Sequence, residues 1–158
     1  MINPSLLKAY EYMENVTPLR NDCGKLCSSK CCTGNDDDGM ILFPGEEQIF
    51  EGKDGFTVYY EERYGLNAVR CNGNCERNSR PLSCRIFPYF IYLKSDDKKP
   101  AVLPDVRAVD FCPLLMESVK LDKKFLRAMR ITAAKLCEDA EMREYLKRMT
   151  EIISDFNL

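Results

Sequence analysis

The run Tyr89-Phe-Ile-Tyr-Leu-Lys94, followed by Ser95-Asp-Asp-Lys-Lys99 and Pro100-Ala-Val-Leu103, decides the fold class. Two short runs of aromatic and branched residues, split by a polar segment, read as a β-hairpin. After Cys112-Pro113 the periodicity changes. Phe125, Leu126, Met129, Ala133 and Leu136 recur at helical spacing, and Met142, Tyr145, Leu146, Met149, Ile152, Ile153 and Phe156 do so again. Upstream, Asn3-Pro4 reads as an N-cap followed by proline at the first helical position. Leu6, Leu7, Tyr10 and Met13 then give a helix to about Asn15. Met40-Ile-Leu-Phe43 and Leu66 to Cys71 are strand candidates. Pro44-Gly-Glu-Glu47 starts a helix that is interrupted or ends near Gly52 to Gly55, while Phe56 to Tyr64 fits strand or helix. The expected fold is α+β, a small single domain over 1–158. Short strands and a hairpin surround a cysteine-rich metal site at about 20–115, and a helical third occupies about 116–156.

The chain has 158 residues, 45% hydrophobic and 30% charged, which is ordinary for one soluble domain. A core of normal size fits in such a chain, so its nine cysteines are not needed to hold up an undersized fold. A net charge of −2 offers no general attraction to nucleic acid or an anionic membrane. The opening MINPSLLKAYEYMEN lacks the basic start and continuous apolar run of a signal peptide. No apolar run approaches the ~20 residues that span a bilayer. These features predict a soluble cytoplasmic protein, in a compartment where thiols stay reduced and clustered cysteines favour metal binding or catalysis over disulfides.

Histidine is absent. That removes HExxH zinc proteases, Cys/His nucleophile pairs, Ser-His-Asp triads and mixed Cys/His zinc sites. A soft metal here must be held mainly by thiolate. The candidate ligands are Cys23, Cys27, Cys31, Cys32, Cys71, Cys75, Cys84 and Cys112, each group beside turn formers that can aim several backbones at one point. Four thiolates suit zinc, and four cysteines, commonly a local run plus a distant Cys-Pro, suit an iron–sulfur cluster. Cys112-Pro113 fits the latter. Eight cysteines can complete two such sites, or one site with the rest peripheral. Cys31 and Cys32, being adjacent, do not easily face one centre together. Arg70, Arg77, Arg80 and Arg85 lie within a few residues of Cys71, Cys75 or Cys84 and can back the thiolates with positive charge, Arg80 and Arg85 foremost. Their competing reading is as solvated surface charges.

Three segments carry a resemblance: Cys23-Gly-Lys-Leu-Cys27-Ser-Ser-Lys-Cys31-Cys32, Gly39-Met-Ile-Leu-Phe-Pro-Gly-Glu46, and Arg80-Pro-Leu-Ser-Cys84-Arg-Ile-Phe-Pro88. Together they resemble the YkgJ-like cysteine-cluster family of zinc- or iron-chelating domains, written as a CxxCxxCC cluster, a further cysteine pair and an RPxxCRxFP segment. Phe111-Cys112-Pro113-Leu114 is similar to that family's downstream cysteine. The likeness spans about residues 20 to 115. This chain departs in having CxxxCxxxCC, one residue longer in each gap, which sets Cys23 back from the others. The resemblance implies metal binding. It also extends, through the cysteine motif, to flagellin lysine-N-methylases that use an iron–sulfur cluster.

Two main functions compete. One is a cytoplasmic protein whose thiolates chelate zinc or a [4Fe–4S] cluster. The other is an iron–sulfur-dependent enzyme of methyl-transfer or redox type. A thiol–disulfide switch is a third, and it lacks a CxxC on a thioredoxin-like frame. Cys137, among Ala133, Ala134, Leu136 and Ala140, reads as a small buried hydrophobe. Asp36-Asp37-Asp38 reads as a solvated turn, since the spacing and closing Glu of a calcium loop are missing. Tyr59, Tyr60, Tyr64, Phe87, Tyr89, Phe90 and Tyr92 read as core and site walls, with no basic stripe to make them a nucleic-acid surface. No sequence feature names a protein partner or a catalytic residue.

Overall fold

A computed structural model of the chain describes residues 1–20, 23, 26, 31, 39–73 and 75–156. Asn3 caps the first helix, α1 (Pro4–Met13), its side chain accepting from the Ser5 N–H at 2.8 Å. Leu6, Ala9 and Met13 form its buried face, so Ala9 takes the place expected of Leu7, which is 45% exposed. The expectations for Asp36-Asp37-Asp38, Cys27 and Cys32 lie outside the described residues.

Pro44-Gly45 does not open a long helix. Phe43-Pro44-Gly45-Glu46 is a turn with the type II signature: proline, then glycine at φ +81°, closed by the Glu46 N–H on the Phe43 carbonyl at 3.0 Å. A side chain at Gly45 would force an L-residue into the left-handed region. Only four helical residues follow, α2 (Glu47–Phe50).

The undecided segment is a strand. β2 (Phe56–Glu61) pairs antiparallel with β3 (Leu66–Cys71), which on its other side pairs with β1 (Met40–Ile41). Register runs Phe56 opposite Cys71 through Glu61 opposite Leu66, and Met40 opposite Val69. The link turns at Gly65, φ +62°, where an added Cβ would lie 2.6 Å from the Arg148 side chain. The expected hairpin is present as β4 (Tyr89–Tyr92) and β5 (Ala101–Pro104), between which Tyr89 faces Pro104. A short helix, α3 (Leu82–Ile86), precedes it, and the Phe87–Pro88 peptide is cis.

Two helices end the chain, α4 (Lys123–Leu136) and α5 (Ala140–Asp155). The predicted stripes pack on the core, with Leu126 and Ile152 only partly buried, while Phe156 lies past the helix end and is 55% exposed. Cys137 is half-buried, and burial raises its thiol above the usual range. The main core joins α1, α3, β4, α4 and α5 through Leu6, Met13, Leu82, Ile91, Met129 and Leu146. A smaller cluster, Leu42, Phe50 and Val69, lies with Met40, Phe56 and Val58 against the three-stranded sheet. The whole is a small α+β domain with a helical C-terminal end.

Asp139 caps α5, its carboxylate accepting from the Met142 N–H at 3.0 Å. The hydrogen bond from Met142, then that from Asn3, holds its pKa below the ordinary value. Asp139→Ala is expected to cost about 1 kcal/mol at neutral pH, as other cap losses do. A depressed folded-state pKa means the stabilisation is present above the ordinary carboxylate range and lost as pH falls through the lowered value. Urea unfolding of both proteins from neutral to acidic pH checks this: the difference should shrink toward the acid end.

Candidate functional site

A cleft of about 320 Å³ opens beside the smaller apolar cluster. Met40, Phe56 and Val69 supply one wall, and Phe87 and Phe111, stacked with centroids 6.0 Å apart and planes at 20°, supply another. Cys31, Cys71, Cys75 and Cys84 all line it. Four cysteines spread over more than fifty residues of chain thus reach one opening.

Cys71 ends β3 opposite Phe56. The chain then bends at Gly73, φ +79°, with the Asn72 N–H bound to the Gly55 carbonyl at 3.2 Å, and returns as Cys75. Cys84 belongs to α3, whose other residues Leu82, Ser83, Arg85 and Ile86 are all buried. Ser83 Oγ donates to the Ile41 carbonyl at 2.8 Å and ties this helix to β1. Gly39 also lines the cleft, where an added Cβ would meet the Tyr59 hydroxyl at 1.8 Å.

The remaining predicted ligands are placed otherwise. Cys112 begins the 3₁₀ turn Pro113–Leu115 and lies by Tyr89, whose hydroxyl is pushed up first by burial and then by the Cys112 charge. The Cys23 carbonyl accepts from the Leu26 N–H at 3.0 Å. Neither is among the residues lining the cleft. Among the described residues, no three His, Cys, Asp or Glu side chains converge closely enough to hold a metal ion.

The arginines divide. Arg80 lines the cleft, and its Nη2 donates to the Cys75 carbonyl at 3.5 Å. Arg85 is 4% exposed and outside the lining. It donates to the Arg80 carbonyl at 3.0 Å and the Asn78 carbonyl at 2.7 Å, and its guanidinium lies 4.5 Å from the Tyr10 ring centre. Arg85 is therefore a buried brace of the 77–85 segment, and the solvated reading fails for it. Arg77 donates to the Val16 carbonyl at 2.6 Å and the Arg85 carbonyl at 3.2 Å, which joins that brace to the end of α1. Arg70 lies over the Tyr59 ring at 4.6 Å.

Two residues that sequence reasoning missed matter here. Arg107 lines the cleft and grips Asp105, which is 1% exposed, with Nη2 on Oδ2 at 2.6 Å and Nε on Oδ1 at 2.9 Å. Burial pulls the Arg107 pKa down, but the hydrogen bond and charge of Asp105 outweigh it and raise it. The spacing Asp105-x-Arg107 is the only signal, and it is common in turns. The second is Glu46, fully buried. Its Oε1 accepts from the Leu82 N–H at 2.6 Å, its Oε2 from the Phe43 N–H at 2.8 Å, and the Tyr10 hydroxyl also donates to Oε1. Burial raises its carboxyl above the usual range, against the pull of Leu82, Tyr10, Phe43 and Arg85.

The donor chemistry is selective. Among the described residues lining the cleft there is no carboxylate, while four are cysteines. Hard cations such as Ca²⁺ and Mg²⁺ need oxygen ligands, whereas zinc and iron–sulfur clusters take thiolates. Fold and site together define a small α+β protein with a thiol-lined cleft. No protein-family model matches the chain, and no curated protein or solved structure resembles it at a significant level. No helix among the described residues is long and apolar enough to cross a membrane.

Proposed function

We propose that this is a cytoplasmic metal-binding protein whose clustered thiolates chelate zinc or an iron–sulfur cluster, in the manner of the YkgJ-like domains its motifs resemble. One observation carries the reading: Cys31, Cys71, Cys75 and Cys84 line a single cleft in which no described lining residue is a carboxylate. Cys71, Cys75 and Cys84 line the cleft without converging to metal-binding distance, and a bound metal would draw their thiolates together from the sheet, the following turn and α3. A fourth would come from the 23–32 run, where Cys31 lines the cleft and, of the described members, Cys23 does not. When bound, the metal would cross-link these segments and hold the thiols ionised. Arg80 offers positive charge beside them, and the stacked Phe87 and Phe111 give that side of the cleft an apolar wall.

A second reading, an iron–sulfur-dependent enzyme of redox or methyl-transfer type, has one observation in its favour. The thiols face about 320 Å³ of open cleft, at the small end of the range for ligand pockets.

Protein purified without oxygen and without chelator should carry about one metal ion, or one cluster, per chain by elemental analysis. Visible absorption separates the readings: a brown, oxygen-sensitive sample means iron–sulfur, and a colourless one with stoichiometric zinc means a zinc site. Metal well below one per chain would sink the proposal.

A further inference from the structure

We infer that Glu46 positions Cys84, fixing the start of α3 and thereby the direction from which the Cys84 side chain meets the cleft. The inference rests on the thiolate-site reading above, and its test is arranged to fail separately from that reading.

α3 is too short to be stable alone, because one or two turns do not offset the cost of nucleation. Its first N–H groups have no partner within the helix, and Pro81 at the N-cap makes no side-chain cap. Glu46, thirty-six residues away, meets that need: its Oε1 takes the Leu82 N–H at 2.6 Å, wholly out of water. The same carboxylate takes the Phe43 N–H at 2.8 Å and the Tyr10 hydroxyl, so it is anchored to the β1 side and to α1 at once. The turn at Pro44-Gly45 is what folds it back to these donors. Two residues beyond Leu82 stands Cys84, the one member of α3 that is not buried. A shift of this helix would carry the thiol off the cleft while changing little else on its surface.

Glu46→Gln keeps the shape but exchanges one acceptor oxygen for an NH₂ that must face an N–H donor, leaving buried hydrogen-bonding groups unmatched. Two readouts follow. In metal-free protein, iodoacetamide labelling of Cys84, read by mass spectrometry of its peptide, should speed up about tenfold as α3 loosens. In a Co²⁺ titration, the affinity read from the thiolate-to-cobalt charge-transfer band should weaken by about tenfold or more, as when an outer partner of a ligand is removed. Ile153→Ala, in the core of α5 and remote from Glu46 in sequence, is the control for lost stability. It should lower the melting temperature and leave both readouts at the wild-type value.

If Glu46→Gln behaves as Ile153→Ala does, the positioning role is overturned and the metal reading survives. If wild-type protein gives no thiolate–cobalt band, the metal reading falls and the labelling rate alone decides the role of Glu46. Should Glu46→Gln fail to fold, hydrogen exchange in the wild type decides. The Leu82 amide should then be as protected as the Leu146 amide in α5, and exchange at a loop rate would overturn the inference.

Discussion

Cys84→Ser is expected to strip bound metal from the protein, from about one per chain to a small fraction of that. Serine matches cysteine closely in size and fits the half-buried position, so the fold loses little packing. What it loses is chemistry, because a hydroxyl stays protonated at neutral pH and is a poor ligand for the soft metals that select thiolate. Removing a partner behind a ligand costs ~10–100-fold in affinity, and removing the ligand itself costs more. Cys137→Ser, at the half-buried end of α4, should keep full metal content. Elemental analysis of the two proteins prepared side by side without oxygen makes the comparison. Equal metal in both would remove Cys84 from the site. If the metal also braces the fold, Cys84→Ser will melt lower as well, since metal-binding energy is then folding energy.

Phe43→Ala is expected to be the most destabilising core change. Phe43 is completely buried and packs on the Tyr145 ring with centroids 4.8 Å apart, joining the turn that carries Glu46 to α5. Deleting a buried phenyl ring removes its transfer free energy and leaves a cavity, together about 3–5 kcal/mol. That is a large part of the ~5–15 kcal/mol by which a domain of this kind is stable. The ring also covers Tyr145, whose buried hydroxyl has no hydrogen-bond partner among the described residues, so water entering the cavity could offset part of the loss. Urea denaturation of the metal-free protein measures the effect without interference from the site. A cost below about 1 kcal/mol would show that Phe43 does not belong to the core as described.

Local signals carried far where the physics is local. The Asn3-Pro4 start of α1, the β4–β5 hairpin and the long stripes of α4 and α5 were legible because capping, turn chemistry and periodicity act over a few residues. Phe56 to Tyr64 was not legible. Its side chains alternate too weakly, and what makes it a strand is pairing with β3 across the turn at Gly65. Pro44-Gly45-Glu46-Glu47 announced a helix that does begin at Glu47, but not the turn that occupies its first residues. An acidic residue after proline resembles a helix start, yet Glu46 turns inward to donors on α1 and α3 that no local window contains.

The site divides the same way. That Cys71, Cys75 and Cys84 come near one another was suggested by their turn-rich surroundings, and the cleft unites them with Cys31. Which arginine would face the thiols was not readable. Arg80 and Arg85 stand five residues apart in the same motif, but only Arg80 lines the cleft, because α3 turns Arg85 back onto Tyr10 and the carbonyls of Asn78 and Arg80. Arg107 arrives from beyond the hairpin, held by the buried Asp105, and no spacing relative to the cysteines could have placed it there.

X-ray absorption at the metal edge of anaerobically purified protein tests the central claim most directly. Thiolate ligation predicts a first shell dominated by sulfur at roughly 2.3 Å. A shell made only of oxygen and nitrogen near 2.0–2.1 Å, or no metal at the edge at all, would contradict it.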